Sequence, residues 1–495
     1  MRVLGPAFAL TLAAAPAIGQ WSIDSLTEAR GKLVAVTIGD YVLFAGGDSP
    51  AGNYDVVDIY QVSTNSWTAA TLTVARAFLS GTSVGPYVLI AGGGIDSQTP
   101  LAVVDIYDST IGPPDDSNAW SVTSLSQARS SLAATSVGGK ALFAGGATDI
   151  NLPRLATVDI YDSNAGPPQD VNAWTVTALS QARASLSAES VGSVAIFASG
   201  ERGALGLTDR VDIYDSLSDS WSIAQLSQSR LVGDNASTTI GSRAYFAGGQ
   251  LITNTLSDVI DVYDAQTEAW SDMTLPDASG GLTGASIGNT AIFAGGYDSS
   301  LTLTDVVHML NIGTNQWDSS AQLSEARFFM SSATIGGKVL FGGGKGHFSA
   351  TASDRVDVYE PIGVNYCAAN PNSTGGAATI SASGSKSIAA NNLSLSASPV
   401  PNQPGLFFYG AAQTQLVFGN GYLCVGAGAT GIARLPVVNG TSNAMSHTLD
   451  NTSPPTALTQ VLPGSTWHFS CWFRDPAGLG AAFDLSDALS VSFIP

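Results

Sequence analysis

Cysteine and histidine are scarce, with three of the first and four of the second in 495 residues. Cys367, Cys424 and Cys471 all lie in the last quarter, and His308, His347, His447 and His468 stand far apart. None of them shows the short ligand spacing of a zinc site, which argues against zinc chemistry. Nor does a Gly-x-Ser-x-Gly elbow stand in the strand–turn–helix setting that serine hydrolysis uses. Charge is equally sparse. Only 12% of residues are charged, and 19 Lys and Arg face 39 Asp and Glu, for a net charge of −20. Such a surface repels phosphate backbones and anionic lipid, which argues against nucleic acid and membrane-surface partners. Long apolar runs are missing too. No run after the N-terminal segment is long enough for a membrane-spanning helix.

The N-terminal segment itself reads as an export signal. Arg2 supplies the positive end, Val3 to Ala15 is apolar, and Ala17-Ile18-Gly19 is a small-x-small cleavage site. Residues 1–19 are therefore expected to direct the chain out of the cell, to be secreted or held at the cell surface. An oxidising compartment permits one disulfide among the three cysteines and leaves one thiol over.

What is abundant is repetition. Trp21, Trp67, Trp120, Trp174, Trp221, Trp270 and Trp317 recur about 50 residues apart, a period that signals a repeat architecture. Each unit carries the same punctuation. Trp120-Ser-Val-Thr-Ser-Leu is followed by Arg129, then by a run of small and apolar residues ending in Val-Gly-Gly. A buried-strand pattern ending in Gly145-Gly146 comes next, then a variable loop and Val158-Asp-Ile-Tyr161. Each unit thus reads as four short strands separated by Gly-rich turns. One such sheet cannot bury both its faces. Radial packing of several sheets solves this and protects the edges. Arg occupies one place in six units (Arg30, Arg76, Arg129, Arg183, Arg230 and Arg327). Asp precedes the Ile/Val-Tyr pair in six (Asp58, Asp105, Asp159, Asp212, Asp261 and Asp357). The sixth unit loses both, with Ser279 and His308 in their places. Joint loss predicts an Arg–Asp pair inside each of the other six, because a lone buried charge is costly.

Arg, a hydrophobic run, Gly-Gly, Tyr and then Trp resembles the kelch repeat, and the resemblance covers about Trp21 to Glu360. It implies an all-β, seven-bladed propeller over residues 20–361. The chain enters this repeat at a Trp strand and leaves after a Tyr strand, so the segment from Trp21 to Leu26 is expected to close the seventh blade. Kelch propellers include copper radical oxidases of the galactose-oxidase type, whose chemistry needs two His, Tyr ligands and a Cys cross-linked to Tyr. This repeat region has no Cys and only His308 and His347, in different blades, which argues against that chemistry. Kelch propellers also include sialic acid epimerases.

Function in such a fold is expected in what does not repeat. The loops after each Gly-Gly vary most, and they share one face with the turns before each Arg. Arg154, Glu201, Arg202, Tyr297, Asp298, Lys345 and His347 lie in these loops and are the candidate ligand-binding residues. Arg202, Lys345 and His347, like Arg154, are cations on an acidic protein, suited to a carboxylated sugar, a peptide or a protein loop. Glu201 is the candidate acid for any enzymatic reading. On the opposite face, Asp108-Ser-Thr-Ile-Gly-Pro-Pro-Asp115-Asp116 and Asp162-Ser-Asn-Ala-Gly-Pro-Pro-Gln-Asp170 precede Asn-Ala-Trp. These read as Pro-stiffened turns. Calcium is the one cofactor their oxygen donors leave open, and no resident metal or other cofactor is expected.

After Glu360-Pro361 the composition changes. Residues 366–495 hold short period-two segments and Pro/Gly turns, the pattern of a small β-sandwich. Gly405-Leu-Phe-Phe-Tyr-Gly410, Phe418-Gly-Asn-Gly-Tyr-Leu-Cys424, Pro463-Gly-Ser-Thr-Trp467 and Trp472-Phe-Arg-Asp475 resemble a C-terminal module of predicted secreted proteins of planctomycete-type bacteria. Such modules often end in Phe-Cys-Pro, and Ile494 stands in place of that Cys. The resemblance therefore implies that Cys367 has lost its partner and that Cys424 pairs with Cys471. The function expected from all this is non-catalytic binding or adhesion to extracellular glycan or protein through the propeller loops. A carbohydrate-active enzyme (sugar epimerase or hydrolase type) with an acid at the propeller mouth is one alternative. A structural protein of an envelope or matrix is another.

Overall fold

The computed structural model describes residues 19–495 other than 97–98, 149–153, 233–235, 254, 313–314, 347–350 and 479. Apart from Gly19, the segment read as an export signal lies outside the described residues. The chain is all-β, 54% strand and 3% helix, and divides into two compact units, Trp21–Glu360 and Pro361–Pro495. Among the described residues no helix is long and apolar enough to cross a membrane.

The first unit consists of seven four-stranded antiparallel sheets. In the first sheet the strands Val34–Ile38, Tyr41–Ala45, Val56–Gln61 and Ser66–Thr71 lie side by side in chain order. The second strand is apolar throughout because both of its faces are covered. Leu43 packs towards the second sheet, while Val42 and Phe44 pack towards the seventh. The same order recurs through residues 80–124, 133–178, 187–225, 237–274 and 283–322. The seventh sheet takes three strands from Ser331–Ile335, Lys338–Gly342 and Arg355–Pro361, and its outer strand is Gly19–Ser25. The two ends of the repeat thus meet in one sheet, as its phase predicts.

The first strand of each sheet contacts the first strand of the next, and the contact sequence returns from Ser331–Ile335 to Val34–Ile38. Hydroxyls tie these strands together. Ser187 Oγ donates to Ser237 Oγ at 2.8 Å, Ser332 Oγ to the Gly284 carbonyl at 2.6 Å, and the Ala35 N–H to Ser331 Oγ at 2.9 Å. Apolar cores fill the spaces between adjacent sheets, including the pair formed by the seventh and the first.

The Arg–Asp pairs form in all six units at 2.6–2.8 Å, each guanidinium fully buried and each carboxylate nearly so. Arg30 is typical. It also donates to the carbonyls of Gly46, Glu28 and Phe44 at 2.7, 3.0 and 3.0 Å, and the second oxygen of Asp58 accepts the Thr27 N–H at 3.0 Å. Burial pulls the Arg30 guanidinium below its usual pKa, with Asp58 opposing that shift. In the sixth sheet His308 is buried and meets Ser319 Oγ at 2.8 Å. In six sheets the Trp on the outer strand packs on the neighbouring Tyr, as in Trp67 on Tyr60 at 5.2 Å and Trp21 on Tyr359 at 5.0 Å, and in the sixth Leu310 takes the place of the Tyr opposite Trp317.

In the second unit a five-stranded sheet has the order Val364–Tyr366, Phe483–Ser492, Thr466–Arg474, Pro404–Gly410, Ile432–Asn439. A three-stranded sheet of Thr379–Ser383, Ser394–Ser398 and Met445–Thr448 shares one core with it, built on Leu395, Phe407, Phe469 and Val491. A hairpin, Ala412–Phe418 with Gly421–Gly426, contributes Cys424 and Val425 to a separate cluster with Phe408 and Trp472.

This arrangement corrects the expected disulfide. Cys367 pairs with Cys424, and Cys471 is a buried free thiol. Cys471 belongs to the core shared by the two sheets, whereas Cys424 belongs to the other cluster. The five-stranded sheet separates the two sulfurs, since alternate side chains of Thr466–Arg474 point to opposite faces.

Candidate functional site

Residues that repeat are buried scaffold, so the site is sought where equivalent positions differ. Two such positions lie close together. One follows Gly-Gly. Its occupants run Asp48, Gly94, Ala147, Glu201, Gln250, Tyr297 and Lys345, and each bridges to the residue after the Arg position or its equivalent. The glycines hold this geometry: Gly47 has φ +111°, and a Cβ there would lie 2.7 Å from the Gly31 carbonyl oxygen. The other position stands two residues before the first strand, in a left-handed conformation. Lys32, Phe78, Ser131, Ser185 and Phe329 all have φ of 51–55°. Backbone bonds link several of them from sheet to sheet. Lys32 N–H donates to Phe329 O at 3.1 Å, Phe78 to Lys32 at 3.3 Å, Ser131 to Phe78 at 3.0 Å and Ser185 to Ser131 at 2.9 Å.

Across the seventh, first and second sheets these positions form a charged and aromatic rim. Lys32 Nζ and Lys345 Nζ both reach the Asp48 carboxylate, at 3.0 and 2.9 Å. Lys32 Nζ also lies 4.1 Å from the Phe78 ring centroid and 5.8 Å from that of Phe329, within cation–π range. Phe78 and Phe329 are 36% and 38% exposed, high for aromatic side chains that have a core available. Phe328, packed on Phe329 at 4.4 Å, is buried and meets Tyr297 edge-on at 6.0 Å. Burial lowers the Lys32 pKa, Asp48 opposes the shift, and Lys345 adds to it. Two ammonium groups share one carboxylate here, which leaves a local positive excess on a chain of net charge −20.

The rim opens on a cavity of about 230 Å³ lined by the first strands of all seven sheets. Small residues create it, among them Ala35, Gly81, Ala134, Ala188, Gly284 and Ser332. Among the described residues Glu189 is the one acid on its wall, at a place where the other sheets carry Val36, Thr82, Thr135, Thr238, Ala285 and Ala333. Glu189 Oε2 accepts from Thr239 Oγ1 at 2.8 Å. Enclosure pushes its carboxyl up to about 7, against the pull of the Thr239 and Ser237 hydroxyls.

Of the residues picked from sequence, Lys345 and Tyr297 belong to this rim. Glu201 and Arg154 meet each other as an ion pair between loops of the fourth and third sheets, and Glu201 also accepts the Gly203 N–H at 2.7 Å. The Glu201 carboxylate thus holds its own loop as well as Arg154. Asp298 is likewise engaged locally, accepting the N–H groups of Ser300 and Thr302 at 2.8 and 2.9 Å. Arg202 is half-buried and precedes the short 3₁₀ turn Gly203–Leu205. His347 lies outside the described residues. The two Pro-Pro connections are turns braced by their own hydrogen bonds. Asp116 and Asp170 each accept the N–H two residues on at 2.9 Å, and Trp120 and Trp174 donate to Pro114 and Pro168 at 2.8 Å. Among the described residues no three His, Cys, Asp or Glu side chains converge as a metal centre would.

Sequence reasoning passed over Lys32, Asp48, Phe78, Phe329 and Glu189. The signal was present in the repeat. The run after each Arg is small and apolar on average, and only its alignment across the seven units sets a lysine, two phenylalanines and a glutamate apart. No protein-family model and no curated protein matches the chain.

Proposed function

We propose that the first unit is a seven-bladed, kelch-type propeller of a secreted or cell-surface protein, and that it is a non-catalytic binding module for an extracellular glycan or protein bearing an acidic group. The closed sequence of neighbours among the first strands and the shared seventh sheet support the propeller. The disulfide, together with the export-type N-terminal sequence, supports an extracellular location. The second unit, with two sheets on one core, is read as the accessory β-sandwich. The observation that carries the binding reading is the rim itself. Lys32 and Lys345 stand around Asp48 between exposed Phe78 and Phe329, so a ligand carboxylate can take the place of Asp48 while an apolar sugar or side-chain face stacks on the rings.

A glycan and acidic-peptide array probed with the full chain, with and without calcium, tests this. Selective capture of acidic ligands is expected. Lys32→Ala with Lys345→Ala should weaken it by at least about tenfold, the value of a lost charged hydrogen bond. Capture that is unchanged in the double variant, or indifferent to ligand charge, overturns the reading. Self-association without ligand supports instead a structural role in an envelope or matrix.

One observation favours a second, enzymatic reading. Glu189 sits in the cavity below the rim with its carboxyl pushed up to about 7, the range a general acid–base group needs at neutral pH. Turnover of a captured sugar that Glu189→Gln abolishes while capture persists would make the protein a carbohydrate-active enzyme.

A further inference from the structure

The second unit carries a pocket of its own. The sheet strand Pro404–Gly410 sends Phe407 and Tyr409 into the shared core and Phe408 to the opposite face, where Trp472 from the neighbouring strand joins it. The hairpin Ala412–Gly426 brings Leu423 and Phe418 against that face, and its register is broken between Gln413 and Leu416. The layer it makes is incomplete. Between hairpin and sheet lies a pocket of about 320 Å³, at the lower end of the size range of small-molecule sites.

Its chemistry is unmixed. Phe408, Phe418, Leu423, Ile432 and Trp472 are among its lining residues, and the single polar one is Arg434. Arg434 stands two residues after Ile432 on the edge strand Ile432–Asn439 and is exposed. It makes no side-chain hydrogen bond or ion pair with the described residues. Only two other cations, Lys386 and Arg474, occur after Pro361. The apolar character also continues outward, with Phe418 46% and Ile432 38% exposed. An apolar pocket with one unengaged guanidinium matches an amphiphile with one chain and one negative head.

We propose that this pocket binds a free, single-chain alkyl carboxylate of medium length, its chain against Phe408, Leu423 and Trp472 and its carboxylate on Arg434. A two-chain lipid exceeds the volume, and an alkyl cation meets the wrong charge.

Calorimetric titration of the full chain with octanoate, decanoate and dodecanoate, each below its micellar concentration, tests the proposal. Saturable binding at one site is expected, tightening about fourfold for each methylene buried until the pocket is full. Decyltrimethylammonium should bind at least about tenfold more weakly than decanoate. Arg434→Gln, at an exposed position that leaves the fold intact, should erase that preference and keep the dependence on chain length. Ile432→Trp, which fills the opening, should block binding of all three carboxylates. Absence of saturable decanoate binding, equal affinity for the two head groups, or an unchanged preference in Arg434→Gln overturns the proposal. So does sedimentation as a dimer that decanoate leaves intact, or adsorption to phosphatidylcholine vesicles without decanoate binding, because either assigns the apolar surface to another occupant.

Discussion

Six guanidiniums lie wholly inside the first unit, each held by one carboxylate and by carbonyls of its own sheet. Removing one partner of such a pair leaves an uncompensated charge in a site closed to water, at a cost of about 3–5 kcal/mol. Arg129→Met is expected to destabilise the first unit by that amount, as is Asp159→Leu. The combination Arg129→Ser with Asp159→His, the pair of residues the sixth sheet already carries as Ser279 and His308, should cost clearly less than the sum of its single changes. Thermal unfolding of the two singles and the double measures the coupling. Glu189 has the opposite character, a lone acid that is more easily protonated folded than unfolded. Its folded carboxyl is pushed up to about 7 against an ordinary value of 4.5. Between those values the folded state holds a proton that the unfolded chain has released, so this residue's effect on stability becomes less favourable as pH rises through that window. Glu189→Gln should therefore raise the thermal midpoint more at pH 8 than at pH 5. An equal change at both pH values would mean that the carboxyl titrates normally. These charged positions were legible to different degrees. The Arg–Asp pairs followed from joint loss in one repeat. Glu189 did not, because nothing local distinguishes an acid facing a central cavity from one facing solvent.

At the scale of the element, the short strands were readable because each is bounded by glycine or polar turn residues and because the pattern recurs seven times. The seventh sheet is the instructive case. Its outer strand, Gly19–Ser25, comes from the far end of the chain, and the phase of the repeat sufficed to foresee this. That strand pairs with Arg355–Pro361 and lays Trp21 on Tyr359. Deleting residues 19–25 should lower the thermal midpoint of the first unit by several degrees, and a synthetic peptide of those residues should restore it in trans by strand addition. Failure of the peptide to restore it, with the deleted chain still folded, would show that closure does not depend on this strand. The loops were harder. Arg154, Glu201 and Asp298 read as recognition groups in the sequence, and in the structure Arg154 pairs with Glu201 while Glu201 and Asp298 also accept from backbone N–H groups of their own loops. Loop composition reveals which polar groups are present and not which of them are already satisfied.

On the scale of the whole molecule, the chain holds two compact units with separate cores, so two unfolding transitions are expected in calorimetry. The Cys367–Cys424 bond closes a loop over 57 residues, and loop-closure entropy puts its contribution near about 4 kcal/mol. Reductant, or Cys367→Ser with Cys424→Ser, should lower only the transition of the second unit, and Cys471→Ala should leave the bond in place. A shift of both transitions would show that the units unfold together. The sequence by itself determined the all-β class, the sevenfold repetition, the six ion pairs and the meeting of the two ends of the repeat, because each is written in periodic positions that can be compared with one another. Tertiary structure alone decided which cysteines pair, since that depends on which face of a sheet each sulfur occupies. It alone decided that Lys32, Asp48 and Lys345 share one rim and that Phe408, Trp472 and Arg434 share one pocket. Those groups lie far apart along the chain, and only the packing of sheets and hairpin brings them within a few ångströms.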